Sequence, residues 1–291
     1  MAVASMTGFA RVEGHDSDAT WTWEIKSVNA RNLDVRCRVP PGYDALDSEV
    51  RRRAPEHLKR GNITANLQVT RHAGAAMPRV NRDALAAIMA AMKELDGDFA
   101  PPRLDGLLRL PGVLETPEED PDAAREREKL LAADLKRCLE SLVAARLDEG
   151  ARLKQILAGE LDRISELTAE AAASPALQPE AMRARLTQQL SLLLGADTPL
   201  PEERIAQEVA LLLTKADVRE EIDRLNAHIQ AARTLLDEGG PIGRRLDFLC
   251  QEFNRESNTL CSKSSDVALT RIGLALKATI EQMREQVQNV E

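Results

Sequence analysis

The sequence predicts an α+β protein: a small N-terminal βββαβα two-layer domain, then a long, mostly all-α region with an extended helical arm and C-terminal helices. Three observations carry this expectation. Apolar and polar residues alternate through the first 72 positions, the period of a half-buried strand. From about residue 120 the pattern becomes that of amphipathic helix and stays so. Between them, residues 101–117 (PPRLDGLLRLPGVLETP) are punctuated by proline and glycine.

Each element follows from its local pattern. Residues 3–12 form the weakest strand candidate. In WTWEIKSV, Trp21, Trp23 and Ile25 share one face. In NLDVRCRVP, Leu33, Val35, Cys37 and Val39 face one way, while Asn32, Asp34, Arg36 and Arg38 face the other. In NITANLQVT, Ile63, Ala65, Leu67 and Val69 alternate with polar residues. Between the third and fourth strands, DALDSEVRRRAPEHLKRG reads as a helix interrupted or ended near Pro55, with Gly61 past its end. A second helix is expected over 81–95, and residues 101–119 read as a linker or a short docking element.

Residues 120–173 are rich in Ala, Leu, Glu, Lys and Arg, with Gly150 and Gly159 inside. They make one helix of roughly 75 Å or two stacked helices broken at glycine. So long an apolar stripe needs a partner, expected at 180–194, and an arm suits self-association or clamping a ligand. Residues 202–236 read as helix with Asp217 as an internal restart, and Asp217 and Glu220 have capping-box spacing. EGGPIG then breaks the chain, and helices follow over 244–264 and from 266 onward. The expected domains are 1–100, a linker at 101–119, the arm at 120–200, and a helical domain at 201–291 carrying the candidate site.

Composition narrows the function classes. The chain has 291 residues and 30% charged side chains. No run approaches the ~18–20 apolar residues of a membrane span. MAVASMTGFARVEG lacks the charged and apolar regions of a secretory signal, so a cytoplasmic, membrane-free protein is expected. The four cysteines show no CxxC pair and read as reduced thiols. Aromatic residues are 2%, too few for a sheet that stacks several bases. Net charge is −8, yet residues 1–72 carry 11 Lys/Arg against 9 Asp/Glu and residues 241–291 carry 7 of each. The acidic excess therefore lies in the middle, and the two ends remain able to meet a polyanion.

Two polar stripes are the candidate chemistry. On the helix after Asp217, Glu221, Arg224 and His228 fall on one ridge with Asp217. On the next helix Gln251, Arg255, Asn258 and Ser262 cluster, with Asp247 and Asn254 at the edge, and Glu252 and Glu256 share a flank with Lys263. A histidine with carboxylates can bind a divalent ion or transfer protons. Amides and guanidinium groups suit phosphate oxygens and base edges. The bland reading is a solvated helix face with routine i,i+4 pairs. Near the N-terminus, Lys26, Asn29, Arg31, Asn32, Arg36, Arg38 and the run Arg51-Arg52-Arg53 offer a positive, amide-rich surface, or ordinary surface charge.

The words of the sequence are more specific. SMTGFAR (5–11), EIKSVNARNLDV (24–35), RGNI (60–63), KADVREEIDRLNAHI (215–229), GRRLDFLCQEFNRESNTLCSKS (243–264) and IEQMREQVQN (280–289) together resemble the YicC/YloC family of bacterial endoribonucleases. The resemblance spans the chain and is weakest in the acidic helical middle. It implies a cytoplasmic enzyme that cuts single-stranded RNA internally with a divalent metal (Mn or Mg), assembled as a homo-oligomer, a hexamer enclosing a channel.

The matching blocks supply the site residues. Asp217, Glu221, His228, Glu252 and Glu256 are the catalytic candidates, with Asp217, Glu221, Glu252 and Glu256 as metal ligands. Arg224, Arg244, Gln251, Asn254, Arg255 and Asn258 are the RNA-binding candidates, together with Lys26, Asn29, Arg31 and Arg38 from the N-terminal region. Two chemistries stay open: a metal-activated water, or His228 as general base on a 2′-hydroxyl with arginine stabilising the phosphorane. The alternative function is a non-catalytic RNA clamp or adaptor that presents RNA to other nucleases. A purely structural helical scaffold, its polar stripes serving as subunit interfaces, is the third.

Overall fold

The computed structural model describes residues 2–72, 79–94, 103–115, 121–174, 217–264 and 266–291, and the single helical positions 184, 188, 207 and 210. The chain forms two compact units. One comprises Met1–Gly8, Val28–Arg31 and Ala144–Glu291; the other comprises Phe9–Ser27 and Asn32–Val143. The α+β class is as expected, strands first and helices after.

Four strands form the sheet of the second unit: β1 (Gly8–His15), β2 (Ala19–Val28), β3 (Leu33–Arg38) and β4 (Gly61–Arg71), in the order β1-β2-β4-β3. β3 and β4 are parallel, with Leu33 opposite Gly61 and Arg38 opposite Asn66. A parallel pair needs a crossover, and α1 (Asp44–His57) supplies it. The alternation seen in sequence is the alternation of burial. Trp21, Trp23, Ile25, Ile63, Ala65 and Leu67 are buried, while Asp34, Arg36 and Arg38 are exposed.

α1 ends near Pro55, as expected: the helix runs two residues beyond it and stops at His57. A proline in the last turn removes only one helical hydrogen bond, and the turn closes through Leu58 N–H to the carbonyl of Ala54. Gly61 lies past the end of α1, and its φ of +119° lets the chain turn into β4.

Asn81 caps α2 (Arg82–Lys93) by accepting from the N–H of Ala84. Among its described side chains α2 buries none. The layer beside α1 is completed instead by the first part of α4 (Pro121–Ala172), whose Leu131, Leu135, Leu139 and Leu142 join the sheet's core. Trp23 Nε1 donates to the carbonyl of Leu131 at 3.0 Å, and Trp21 Nε1 donates to Asp134 at 2.9 Å. The segment read as a linker is partly folded. It holds α3 (Leu104–Leu108) and β6 (Leu114–Glu115), which pairs antiparallel with β5 (Arg79–Val80).

α4 is one uninterrupted helix of 52 residues, so neither Gly150 nor Gly159 breaks it. Gly150 is required for another reason: a Cβ there would meet the carbonyl oxygen of Val3 at 2.1 Å. In the first unit Leu153, Leu157, Leu161, Ile164 and Leu167 of α4 pack with α5 (Arg219–Glu238), α6 (Gly243–Lys263) and α7 (Val267–Val287). α7 is capped by Asp266, which accepts from Ala268 and Leu269 N–H. The hairpin partner expected at 180–194 and the start of the helix expected from 202 lie outside the described residues, apart from the four isolated helical positions.

The two chain ends meet in this unit. Ser5 and Val290 form a β-bridge, Met6 N–H donates to the carbonyl of Asn289, and Glu291 N–H donates to the carbonyl of Ala4. Arg146, buried, donates to the carbonyl of Ser5 at 2.6 Å and to the Glu291 carboxylate at 3.1 Å. All four cysteines are free, and burial pushes the Cys138 thiol up to about 11 and that of Cys250 up to about 12. No helix among the described residues is long and apolar enough to cross a membrane.

Candidate active site

α5 and α6 are joined by a short turn over Gly239 and Gly240, both with positive φ. They return antiparallel, so the two polar stripes face each other within one chain. Apolar residues lock the pair: Ile222, Leu225 and Ile229 from α5 join Leu246, Phe253 and Leu260 from α6 in one core. Asp217 starts α5 by accepting from Arg219 N–H at 3.0 Å. The contact is an i,i+2 turn rather than the expected capping box, and the segment that would make it an internal restart lies outside the described residues.

Across the pair, His228 meets Glu252 and Glu256. One ligand atom from each lies within 4.8 Å of the others. Glu256 is 3% exposed, whereas His228 and Glu252 are half-buried and reach the surface. The His228 ring stands edge-on to Phe253, with centroids 5.9 Å apart, which fixes the plane of the imidazole. Arg224, one turn before His228, donates to Glu256 at 3.4 Å and also pairs with Glu220. Those two acids hold the guanidinium firmly charged, the Coulomb pull of Glu220 first. Arg255 is 3.8 Å from Glu252.

The four carboxylates expected together as metal ligands are divided. Glu252 and Glu256 join His228, which is not among the expected metal ligands. Glu221 is 6% exposed and is held by Lys263 at 2.8 Å, its other oxygen having no hydrogen-bond partner in the structure. Lys263 Nζ also donates to the backbone carbonyl of Asp217, and the Asp217 side chain is taken by the Arg219 amide. The wheel places Asp217, Glu221 and His228 on one ridge correctly. What it cannot give is the tilt between helices, which lets Lys263 reach Glu221 before any shared ligand does. Lys263 and Phe253 are the residues with a role at the site that sequence reasoning missed. An antiparallel register pairing 224 with 256 and 228 with 252 would have pointed to both.

The remaining candidates sort by neighbour. Gln251 donates to Asp247 at 2.9 Å, and Asp247 lies 3.5 Å from Arg284 of α7. Asn254 donates to Glu281, also of α7, at 3.4 Å. Asp247 and Asn254 are therefore engaged with α7 and Gln251 with Asp247, while Asn258 and Arg244 are exposed. Ser257, Thr259 and Ser262 return their hydroxyls to carbonyls of α6 itself. In the other unit, Lys26 lies over the Phe9 ring at 5.7 Å and Arg38 is exposed at the end of β3. Asn29 and Arg31 belong to the same unit as the site; Asn29 donates to the carbonyl of Gln288, and Arg31 is exposed. Arg51, Arg52 and Arg53 are paired along α1 with Asp47, Glu49 and Glu56.

The donor set suits a divalent cation. One imidazole and two carboxylates fit Mn²⁺ and related ions, and three protein ligands leave positions for water or phosphate oxygens. Two carboxylates this close, one of them buried, also repel each other unless a cation stands between them.

Known proteins resemble the chain along its length. Residues 3–155 match the family model described as endoribonuclease YicC-like, N-terminal region; residues 171–291 match that described as endoribonuclease YicC-like, C-terminal. A protein of Haemophilus influenzae named probable endoribonuclease YicC is 35% identical over 295 residues, covering 99% of this chain and 100% of that protein. One of Clostridioides difficile with the same name is 31% identical, covering 99% of each.

Proposed function

The chain belongs to the YicC-like endoribonuclease family, and from that premise we propose that it cleaves single-stranded RNA internally in the groove between α5 and α6. The observation that carries the assignment to this groove is the convergence of His228, Glu252 and Glu256 within 4.8 Å. A divalent ion held by these three residues would supply Lewis acidity toward a phosphoryl oxygen and lower the pKa of a water.

The chain's own residues account for the rest. Arg224, steadied by Glu220 and Glu256, offers its N–H groups to the non-bridging oxygens where negative charge builds. Phe253 holds the imidazole plane, so that His228 presents a ring nitrogen in a fixed direction. The second chemistry has a specific observation too: an imidazole beside carboxylates is also the arrangement of an oriented general base. A homo-oligomer, expected to be a hexamer, belongs to the same proposal. Val267 and Leu274, one heptad apart on α7, are 84% and 57% exposed and offer an apolar stripe to another copy.

The test is cleavage of an end-labelled RNA by the purified protein, with EDTA and then with added Mn²⁺ or Mg²⁺. Internal cuts that need metal and leave 3′-hydroxyl ends support metal chemistry at Glu252 and Glu256. Cuts that persist in EDTA and leave cyclic phosphate transfer the role to His228 as base. RNA bound without any cut overturns the nuclease reading in favour of the clamp.

A further inference from the structure

The same helix pair carries a second feature, one turn from the acidic cluster. Ala231 and Leu235 of α5 and Arg244, Arg245, Phe248 and Leu249 of α6 line a groove of about 500 Å³. That is a volume typical of small-ligand sites. Phe248 lies one helical turn before Glu252, and Ala231 lies nearly one turn after His228. The groove therefore opens about 5–6 Å along the helix axes from the site.

Its lining is unusual for this chain. There are only four phenylalanines, two tryptophans and one tyrosine. Both tryptophans are buried, yet Phe248 is 59% exposed. The floor beside it is aliphatic. Its rim carries two arginines. Arg245 is paired with Glu238 at 2.9 Å, whereas Arg244 is exposed and has no hydrogen bond or ion pair among the described residues. An exposed ring over an aliphatic floor, with an unengaged guanidinium at the edge, is chemistry for a flat heterocycle joined to an anion.

We propose that this groove is a nucleobase subsite, in which one unpaired base of the RNA strand lies on Phe248 while Arg244 takes an adjoining phosphate. The proposal rests on the endoribonuclease reading above and adds to it a place where the strand is gripped beside the cut. Stacking reads a base's face, not its edge, so the subsite selects unpaired over paired RNA with little preference among bases. A paired base is already stacked inside its helix and cannot enter. The rim also decides between occupants: the guanidinium of Arg244, with no acid opposite it among the described residues, favours a polyanion over an apolar side chain from another copy.

The experiment measures binding apart from cleavage. Fluorescence anisotropy of a labelled, unstructured oligoadenylate is recorded in EDTA for the wild type and for Phe248→Ala, Phe248→Trp and Arg244→Ala, with sedimentation velocity on each. Phe248→Ala should weaken binding about tenfold, and Phe248→Trp should restore it. Arg244→Ala should weaken binding and lower the slope of log K against log salt by about 0.7, the share of one phosphate on a single strand. Wild-type affinity in Phe248→Ala would overturn the subsite while leaving the nuclease reading intact. A loss of affinity that tracks a change in subunit number would overturn it in favour of an interface between copies. Binding that depends on Phe248 in a protein that never cuts RNA would keep the subsite and sink the nuclease. A wild type that binds no RNA removes both.

Discussion

The charged face of α1 and the charged groove between α5 and α6 look alike in sequence and differ in space. On α1, Arg51, Arg52 and Arg53 are each answered by an acid three or four residues away on the same helix. Charge there is spent locally, and nothing is left over to hold a ligand. In the groove, Glu252 and Glu256 come from one helix and His228 from the other, and a single arginine bridges to the buried acid. A run of charge along one helix marks solvation; two acids of one helix set against a histidine of another, one acid buried, make a donor set for a cation. The lesson is that density of charge in sequence says little until its partners are known.

The largest effect expected from this contrast is on chemistry. Glu252→Gln and Glu256→Gln should each lower the single-turnover cleavage rate on the order of 10²–10⁴-fold, with RNA affinity nearly kept. Wild-type cutting by either variant would place the chemistry outside the groove. Next is the pair behind the site. Lys263→Met strands the buried Glu221 carboxylate, and urea unfolding should show a loss of about 3 kcal/mol. A change below about 1 kcal/mol would mean that Glu221 finds another partner.

In the sheet unit the comparable buried cation is Arg127, which is 2% exposed and bonds Asp16 at 2.6 Å. Burial alone would raise the Asp16 carboxyl, but Arg127 and the amides of Asp18 and Ala19 outweigh it and hold it below the usual range. Asp16→Asn should therefore cost about 1.5–3 kcal/mol at neutral pH. A depressed folded pKa gives stability that is present above the unfolded value, near 3.9, and is lost as pH falls through the folded one. Wild type and variant should converge in acid, as followed by thermal melts at stepped pH; a constant gap would refute the linkage. The smallest effect belongs to α1. Alanine at Arg51, Arg52 or Arg53 should change stability by less than about 1 kcal/mol each and leave RNA affinity within about twofold. A clear loss of affinity there would break the contrast drawn above.

Much of this was legible beforehand because it depends on local periodicity. The alternation around Trp21–Ile25 and Ile63–Leu67 gives both the strands and their buried face. The stripes on α5 and α6 follow from 3.6 residues per turn, and the turn at Gly239–Gly240 from glycine's freedom at positive φ. What was not legible depends on distances between elements. Asp217 and Glu221 share a ridge with His228, yet Lys263 and the Arg219 amide claim them first. β5 and β6 are two residues each, too short to show any period.

The stitching of residues 2–6 to residues 289–291 has a consequence for the order in which the protein is made. Ser5 and Asn289, whose hydroxyl and carbonyl meet, stand 284 positions apart. At ordinary elongation speeds the first of them waits roughly 15–60 s for the second. During that interval the amide of Met6 and the carbonyl of Ala4 lack their final partners, and the guanidinium of Arg146 lacks its carboxylate. The seam closes last, so a ribosome stalled short of residue 289 would hold a chain whose helical unit cannot be sealed.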